Sequence, residues 1–79
     1  MKKEEFLKLQ IGLYVTDHQD TSDPSNYCRI TAFKGDRIQL QGYERHGVPV
    51  KAHPFWMSYR DLNITGKLFS SEYYALSRR

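Results

Sequence analysis

Short stretches of alternating polarity, separated by turn-forming residues, constrain the fold of this 79-residue chain most strongly. Residues 9–16 alternate with period two, and the side expected to be buried carries Leu9, Ile11, Leu13 and Val15. That is the pattern of a strand with one buried face. Three more β-type stretches follow, at residues 27–33, 37–43 and 48–57. Short strands at this spacing predict a small all-β barrel or sandwich.

Turn-forming and chain-breaking residues mark the limits of these strands. Residues 17–26 contain no large apolar side chain and are rich in Asp, Ser, Thr, Asn and Pro, which form local turns with their own backbone. This segment is therefore predicted to be the longest loop. Pro49 and Pro54 lack an N–H group, so the fourth stretch is expected at a sheet edge or in two short pieces. A short final strand is predicted at residues 62–65.

The turn at Gly35 and Asp36 decides which side chains share a face. A two-residue loop would place Ile30 opposite Gln41, whereas placing Ile30 on the face of Leu40 requires an odd-length loop or a bulge. Because burial of an entire face outweighs one turn preference, we expect the odd-length loop.

In that register an outward sheet face collects aromatic, arginine and glutamine side chains, and Trp56 is expected beside it. Tyr, Trp and Arg contribute most of the binding energy at many protein interfaces. The predicted partner-binding residues are Tyr27, Arg29, Phe33, Arg37, Gln39, Gln41, Tyr43 and Trp56.

Helices are predicted at both ends of the chain. A short one is expected before Leu9. A second is predicted at about residues 70–78, with Ser70 as its N-cap and Glu72 in its first turn. At about two turns this helix would be unstable alone, so it is expected to dock on the sheet through Tyr73, Leu76 or both.

The composition indicates a folded, polar and mildly basic protein. With 39% hydrophobic and 14% aromatic residues, the chain is too apolar to be disordered. The net charge of +3 divides into −2 for residues 1–26, +4 for 27–60 and +1 for 61–79. Cys28 is the only cysteine, and there is no run of about 18 apolar residues. We expect one domain over residues 1–79, in a reducing cytoplasm and without membrane contact.

Several motifs of the chain resemble those of Src-homology-3 domains. They are Leu13-Tyr14 before an acidic loop, Lys34-Gly35-Asp36, Trp56 and the segment 66–73. Short bacterial and phage-borne SH3-like proteins are similar in another way, through Asp61-Leu62 and the Ser-rich start of a final helix. Either resemblance covers roughly residues 9–76. It implies a five-stranded SH3-like barrel at about residues 9–65, followed by the helix at about 70–78.

Two binding alternatives follow from other residues. A polyproline groove would use an aromatic platform formed by Tyr14, Trp56 and Tyr73. The acidic loop would attract basic residues of the ligand through Asp17, Asp20 and Asp23. A nucleic-acid surface would interleave aromatic rings with basic groups, which are Arg29, Arg37, Arg45, Lys51 and Arg60.

Metal binding and catalysis find little support in the sequence. The four candidate ligands are His18, Cys28, His46 and His53, and they show neither Cys-x-x-Cys nor His-x-x-x-His spacing. No nucleophile has an assignable base nearby. We therefore expect no catalytic, metal or cofactor-binding residue. The predicted function is a non-enzymatic module that binds a partner protein, as a small regulator or inhibitor of phage or mobile-element type. A nucleic-acid-binding barrel is the alternative, and a homodimer that covers the edge strand is a further expectation.

Overall fold

A computed structural model describes residues 1–78, apart from the side chain of Arg45. It contains two helices and five strands. In chain order these are α1 (Lys3–Phe6), β1 (Tyr14–Thr16), β2 (Cys28–Lys34), β3 (Arg37–Gly42), β4 (Phe55–Ser58), β5 (Gly66–Leu68) and α2 (Ser70–Ser77). Single 3₁₀ turns lie at Pro24–Asn26 and Arg45–Gly47. The prediction of a mainly β protein with a short C-terminal helix is confirmed.

The five strands form one antiparallel sheet in the order β4-β3-β2-β1-β5. Strands β1 to β4 form a meander, and β5 returns to pair with β1 on its free side. Within residues 1–78, β4 and β5 are the two edges of the sheet and do not pair with each other. The expected closure into a barrel is therefore not confirmed.

One face of the sheet, the core face, carries the main apolar cluster. Phe6 of α1 closes over this face, and side chains from three strands and the connecting loops fill it. The buried members are Phe6, Leu9, Leu13, Val15, Ile30, Ile38, Leu40 and Leu62. The predicted helix before Leu9 is thus present as α1, and it supplies a core residue.

The opposite face, the tyrosine face, carries a second cluster formed by Tyr14, Tyr27 and Tyr73. Tyr73 comes from α2, which docks here with Leu76 packed against the same cluster. The predicted docking of the helix through these two residues is confirmed. The helix begins one residue after its N-cap Phe69, whose N–H donates to Glu72 Oε2 at 2.9 Å, so the prediction of Ser70 as the N-cap is wrong.

The hairpin between β2 and β3 corrects the predicted loop. Lys34 pairs with Arg37, so the loop has two residues, Gly35 and Asp36. A bulge at Thr31 then lets Ile30 pair with Leu40, as burial of the core face requires. The extra residue therefore lies inside the strand and not in the turn.

Two strands differ from their predicted positions, and a third is broken as predicted. The first strand covers only Tyr14–Thr16, because the preceding segment turns at Gly12 with φ of +94°. The last strand lies at Gly66–Leu68, after the predicted 62–65. The fourth stretch is broken as expected, into an isolated bridge at Pro49 and the edge strand β4. Among the described residues no helix has the length and apolar character needed to cross a membrane.

Candidate functional site

The strand register sorts the tyrosine face into three rows of side chains. Residues that pair across antiparallel strands point to the same face of the sheet. The row nearest α2 is Leu68, Tyr14, Arg29 and Gln41; the middle row is Ala32, Gln39 and Trp56; the far row is Lys34, Arg37 and Ser58.

Helix α2 covers the first of these rows. Tyr73 is fully buried and stacks on Tyr14, with ring centroids 3.9 Å apart and planes 3° from parallel. Tyr27 is only 1% exposed, and its hydroxyl donates to Thr21 O at 2.6 Å. The prediction of an exposed Tyr27 is wrong, because Tyr73 of α2 packs against its ring. The alternation of polarity in the strand does not show that the helix returns to this face. Tyr43, also in the predicted surface, is half-buried beside Tyr14.

Gln41 and Phe33 also depart from the predicted surface. The Gln41 amide donates toward the carbonyl oxygens of Gly42, Val50 and Ala52 at 3.2–3.3 Å, and so ties the loop before β4 to the sheet. Phe33 pairs with Ile38 and lies on the core face, where its ring is 6.0 Å from that of Phe6. Its predicted place on the outward face is wrong, because the bulge at Thr31 changes which side it points to.

The middle and far rows form a surface called here the open half, in which Lys34, Arg37 and Trp56 are exposed and the other side chains are half-buried. It consists of Ala32, Lys34, Arg37, Gln39, Trp56 and Ser58. Trp56 is 43% exposed and pairs with Gln39, so its predicted position beside this face is confirmed. Lys34, Asp36, Arg37 and Trp56 line a shallow depression. The predicted surface did not include Lys34. This residue pairs with Arg37 across the two-residue turn, and the pairing places it on the tyrosine face.

Strand β4 adds a free backbone edge to the open half. The N–H of Tyr59 donates to Asp36 O at 3.0 Å. Because bonded and non-bonded pairs alternate along an antiparallel ladder, Met57 and Phe55 bond to β3. The N–H and C=O of Trp56 therefore point away from β3, toward the edge. This places an exposed ring and outward backbone groups on the same residue.

Charge is distributed unevenly along the sheet. Lys34 and Arg37 lie at the turn end of β2, and both are exposed. The acidic loop with Asp17, Asp20 and Asp23 joins the other end of β2. Seven strand residues separate the two ends by about 20 Å. The depression at the open half therefore carries two basic side chains and one acid, Asp36, and the acidic 17–26 loop lies far from it.

Arg29 lies in the covered first row, apart from Arg37 and Trp56. It is half-buried beside three tyrosines. The Tyr43 hydroxyl, with smaller effects from Tyr14 and Tyr74, raises the pKa of Arg29 above its ordinary value. The structure thus brings Arg37, Gln39 and Trp56 of the predicted surface together, and places Arg29 and Tyr43 in a separate cluster.

The alternative binding sites are affected differently by the structure. Tyr14 and Tyr73 are both fully buried and stacked on each other, so they offer no platform for a polyproline ligand. Of the basic residues expected to contact nucleic acid, Arg37, Lys51 and Arg60 are exposed. The side chain of Arg45 lies outside the described residues.

The candidate metal ligands do not cluster. Over residues 1–78 no group of three or more His, Cys, Asp or Glu side chains is arranged to hold a metal ion. His18 instead accepts a hydrogen bond from the Asp20 N–H at 3.0 Å, within the acidic loop. Cys28 is partly buried against the core, and that burial raises the pKa of its thiol.

Comparisons with protein families, with characterised proteins and with solved structures gave no match to this chain.

Proposed function

We propose that this chain is a non-enzymatic, SH3-like module that binds an acidic surface of a partner protein through the open half. The observation that carries the proposal is the pairing of Trp56 with Gln39 on the part of the tyrosine face that α2 leaves uncovered. A large exposed ring beside arginine is the composition found at the centres of protein interfaces.

The SH3-like assignment is supported by the strand order. Strands β1 to β4 form a meander and the fifth strand returns to β1, which is the strand order expected of an SH3-like sheet. In a closed form of this sheet, β4 and β5 would approach each other at the edges. The proposal for binding depends only on the register of β2, β3 and β4, and holds for an open or a closed sheet.

Charge favours an acidic partner. Lys34 and Arg37 lie beside Trp56 with a single acid, Asp36, and the carboxylates of the 17–26 loop lie at the other end of β2, so the open half keeps a net positive charge. A partner with acidic side chains would meet attraction at the open half and repulsion at the acidic loop, which would fix its orientation and speed its association. Such a module would act as a small regulator or inhibitor by occupying the partner's surface.

Binding should depend on Trp56 in particular. A central tryptophan at an interface typically contributes about 2 kcal/mol or more, equivalent to roughly a 30-fold change in Kd. Phe55 is a matched control, because it is 44% exposed on the next position of the same strand but lies on the core face.

The experiment is affinity capture from the native host, followed by measurement of Kd with the purified captured protein. We expect Trp56→Ala and Arg37→Ala to weaken binding at least about 10-fold, and Phe55→Ala to leave it nearly unchanged. Circular dichroism of each variant checks that the sheet is intact. Equal affinity of Trp56→Ala and the original chain would contradict the proposal. So would binding of single-stranded oligonucleotides that weakens steeply with salt, because phosphate contacts produce that dependence.

A further inference from the structure

Two buried hydrogen-bonding groups on the tyrosine face have no partner among the described residues. They are the Nε of Arg29 and the hydroxyl of Tyr14. Tyr14 and Arg29 are paired across β1 and β2, so the two side chains are neighbours on the same face of the sheet. Buried polar groups in folded proteins are nearly always hydrogen-bonded, and an exception calls for a missing water, ion or ligand.

The guanidinium of Arg29 also lacks a counter-charge. The groups that act on it electrostatically are Tyr43, Tyr14 and Tyr74, and no carboxylate of residues 1–78 is among them. A half-buried cation without an anion nearby is unfavourable, because neither water nor an ion pair fully replaces its hydration. The tyrosines favour the charged form of Arg29, and an anionic ligand would add the counter-charge that no carboxylate of residues 1–78 supplies.

Three tyrosines whose rings lie close together act on this cation. The ring of Tyr43 lies 5.6 Å from that of Tyr14, and the ring of Tyr74 lies 6.3 Å from it. Burial, and next the nearby Tyr74, raise the pKa of Tyr14, although the two hydroxyls do not form a hydrogen bond of acceptable geometry. A tyrosine hydroxyl can donate one hydrogen bond to an acceptor.

We propose that Arg29 and the hydroxyls of Tyr14, Tyr43 and Tyr74 form a binding site for a phosphate group. A phosphate has enough oxygen atoms to accept from the guanidinium and from several hydroxyls at once. It would supply both the missing acceptors and the missing negative charge. The proposal is independent of Trp56 and the open half.

Tyr74 controls access to this site. It is 42% exposed and belongs to the second turn of α2, whereas Tyr14 beneath it is fully buried. Its ring packs against Gly47, where an added Cβ would lie 2.6 Å from Tyr74 Cε1. Exposed side chains change rotamer within nanoseconds, and an outward turn of Tyr74 would open a path toward Tyr14 for the ligand.

The test is thermal unfolding of the full chain in sodium phosphate and in sodium chloride of equal ionic strength. We expect Tm to rise with the logarithm of phosphate concentration above Kd, by about 11–22 °C at about 100 times Kd. Sulfate should act similarly because it has the same shape. Equal Tm in phosphate and chloride would overturn the proposal, as would acetate binding as tightly as phosphate.

Variants localise the effect. Arg29→Gln should abolish the phosphate-dependent rise, and Arg37→Gln, which removes an exposed arginine, should retain it. Tyr43→Phe keeps its ring and provides a second variant if Arg29→Gln does not fold; calorimetric titration should show phosphate affinity reduced at least about 5-fold. An undiminished response in Tyr43→Phe and in a folded Arg29→Gln would place the ion elsewhere. Phenyl phosphate serves as a probe of the source, because tighter binding than inorganic phosphate assigns the site to a phosphate carried by a partner, and weaker binding assigns it to the free ion.

Discussion

Tyr73 is expected to hold α2 on the sheet, and its replacement by alanine should cost much of the stability of the domain. The side chain is fully buried, stacks on Tyr14 and meets the edge of Tyr27 at 6.3 Å. Its hydroxyl donates to Glu44 O at 2.8 Å. Removing a buried aromatic ring costs about 3–5 kcal/mol, and loss of the hydrogen bond adds about 1 kcal/mol.

That cost is large compared with the total free energy of unfolding. A chain of 79 residues is stable by about 4–12 kcal/mol. Tyr73→Ala should therefore lose at least about a third of that free energy, and a domain at the low end of the range would unfold. Tyr73→Phe removes only the hydroxyl, so it should lose about 1 kcal/mol and lower Tm by about 4–8 °C.

The measurement is urea unfolding of each variant followed by far-ultraviolet circular dichroism. Phe69→Ala is the matched control, because Phe69 precedes the same helix but is 63% exposed, and it should change stability by less than about 0.5 kcal/mol. If Tyr73→Ala loses no more stability than Phe69→Ala, the second cluster does not contribute to the fold and the reasoning fails.

Two further predictions concern the same face. Gly47→Ala should destabilise the protein by more than about 1 kcal/mol, because φ is +75° and the new Cβ would press on the Tyr74 ring. Gly35→Ala is the comparison: its φ is +61° and the space around it is open, so only the cost of the backbone conformation applies. Chemical denaturation of the two variants checks the difference, and equal losses would contradict the close packing. The three buried tyrosines of the second cluster have their pKa raised, mainly by burial. Their contribution to the free energy of unfolding is thus fully present below the unfolded pKa of about 10 and is lost as pH rises above it. Melting curves recorded from about pH 8 to about pH 11 should therefore show a falling Tm. A Tm that stays constant over that range would be the contrary result.

Whether the number of residues between Ile30 and Leu40 is odd or even determines how far the hairpin could be predicted from the sequence. The apolar positions of β2 and β3 require one extra residue somewhere between Ile30 and Leu40. An odd-length turn and a bulge satisfy that requirement equally, so the alternation alone does not locate it. The structure places the extra residue at Thr31, whose hydroxyl interacts with Gln39. The position of Phe33, and with it part of the predicted surface, depended on this choice.

The second face of the sheet was harder to predict, because its burial comes from a contact remote in sequence. In residues 9–16 the alternation assigns Tyr14 and Thr16 to an outward face, yet both are buried. What covers Tyr14 is Tyr73, almost sixty positions later in the chain. The sequence does indicate that a short helix needs a docking surface, and its docking residues were predicted. It does not indicate that the tyrosine half of the sheet is the surface used.

The bulge at Thr31 has a consequence for how the length of this chain can vary. The cross-strand pairs on its two sides, Ile30 with Leu40 and Ala32 with Gln39, are consecutive rungs of a regular ladder. Deleting Thr31 would therefore keep every cross-strand pair, the face to which each residue points and the two-residue turn. It would remove the local bend and twist that a bulge adds and the hydrogen bonds from the Thr31 hydroxyl to Gln39. A divergent descendant of this sequence could lose that residue and still present Trp56 beside Gln39, so an alignment gap at this point would be neutral for the site.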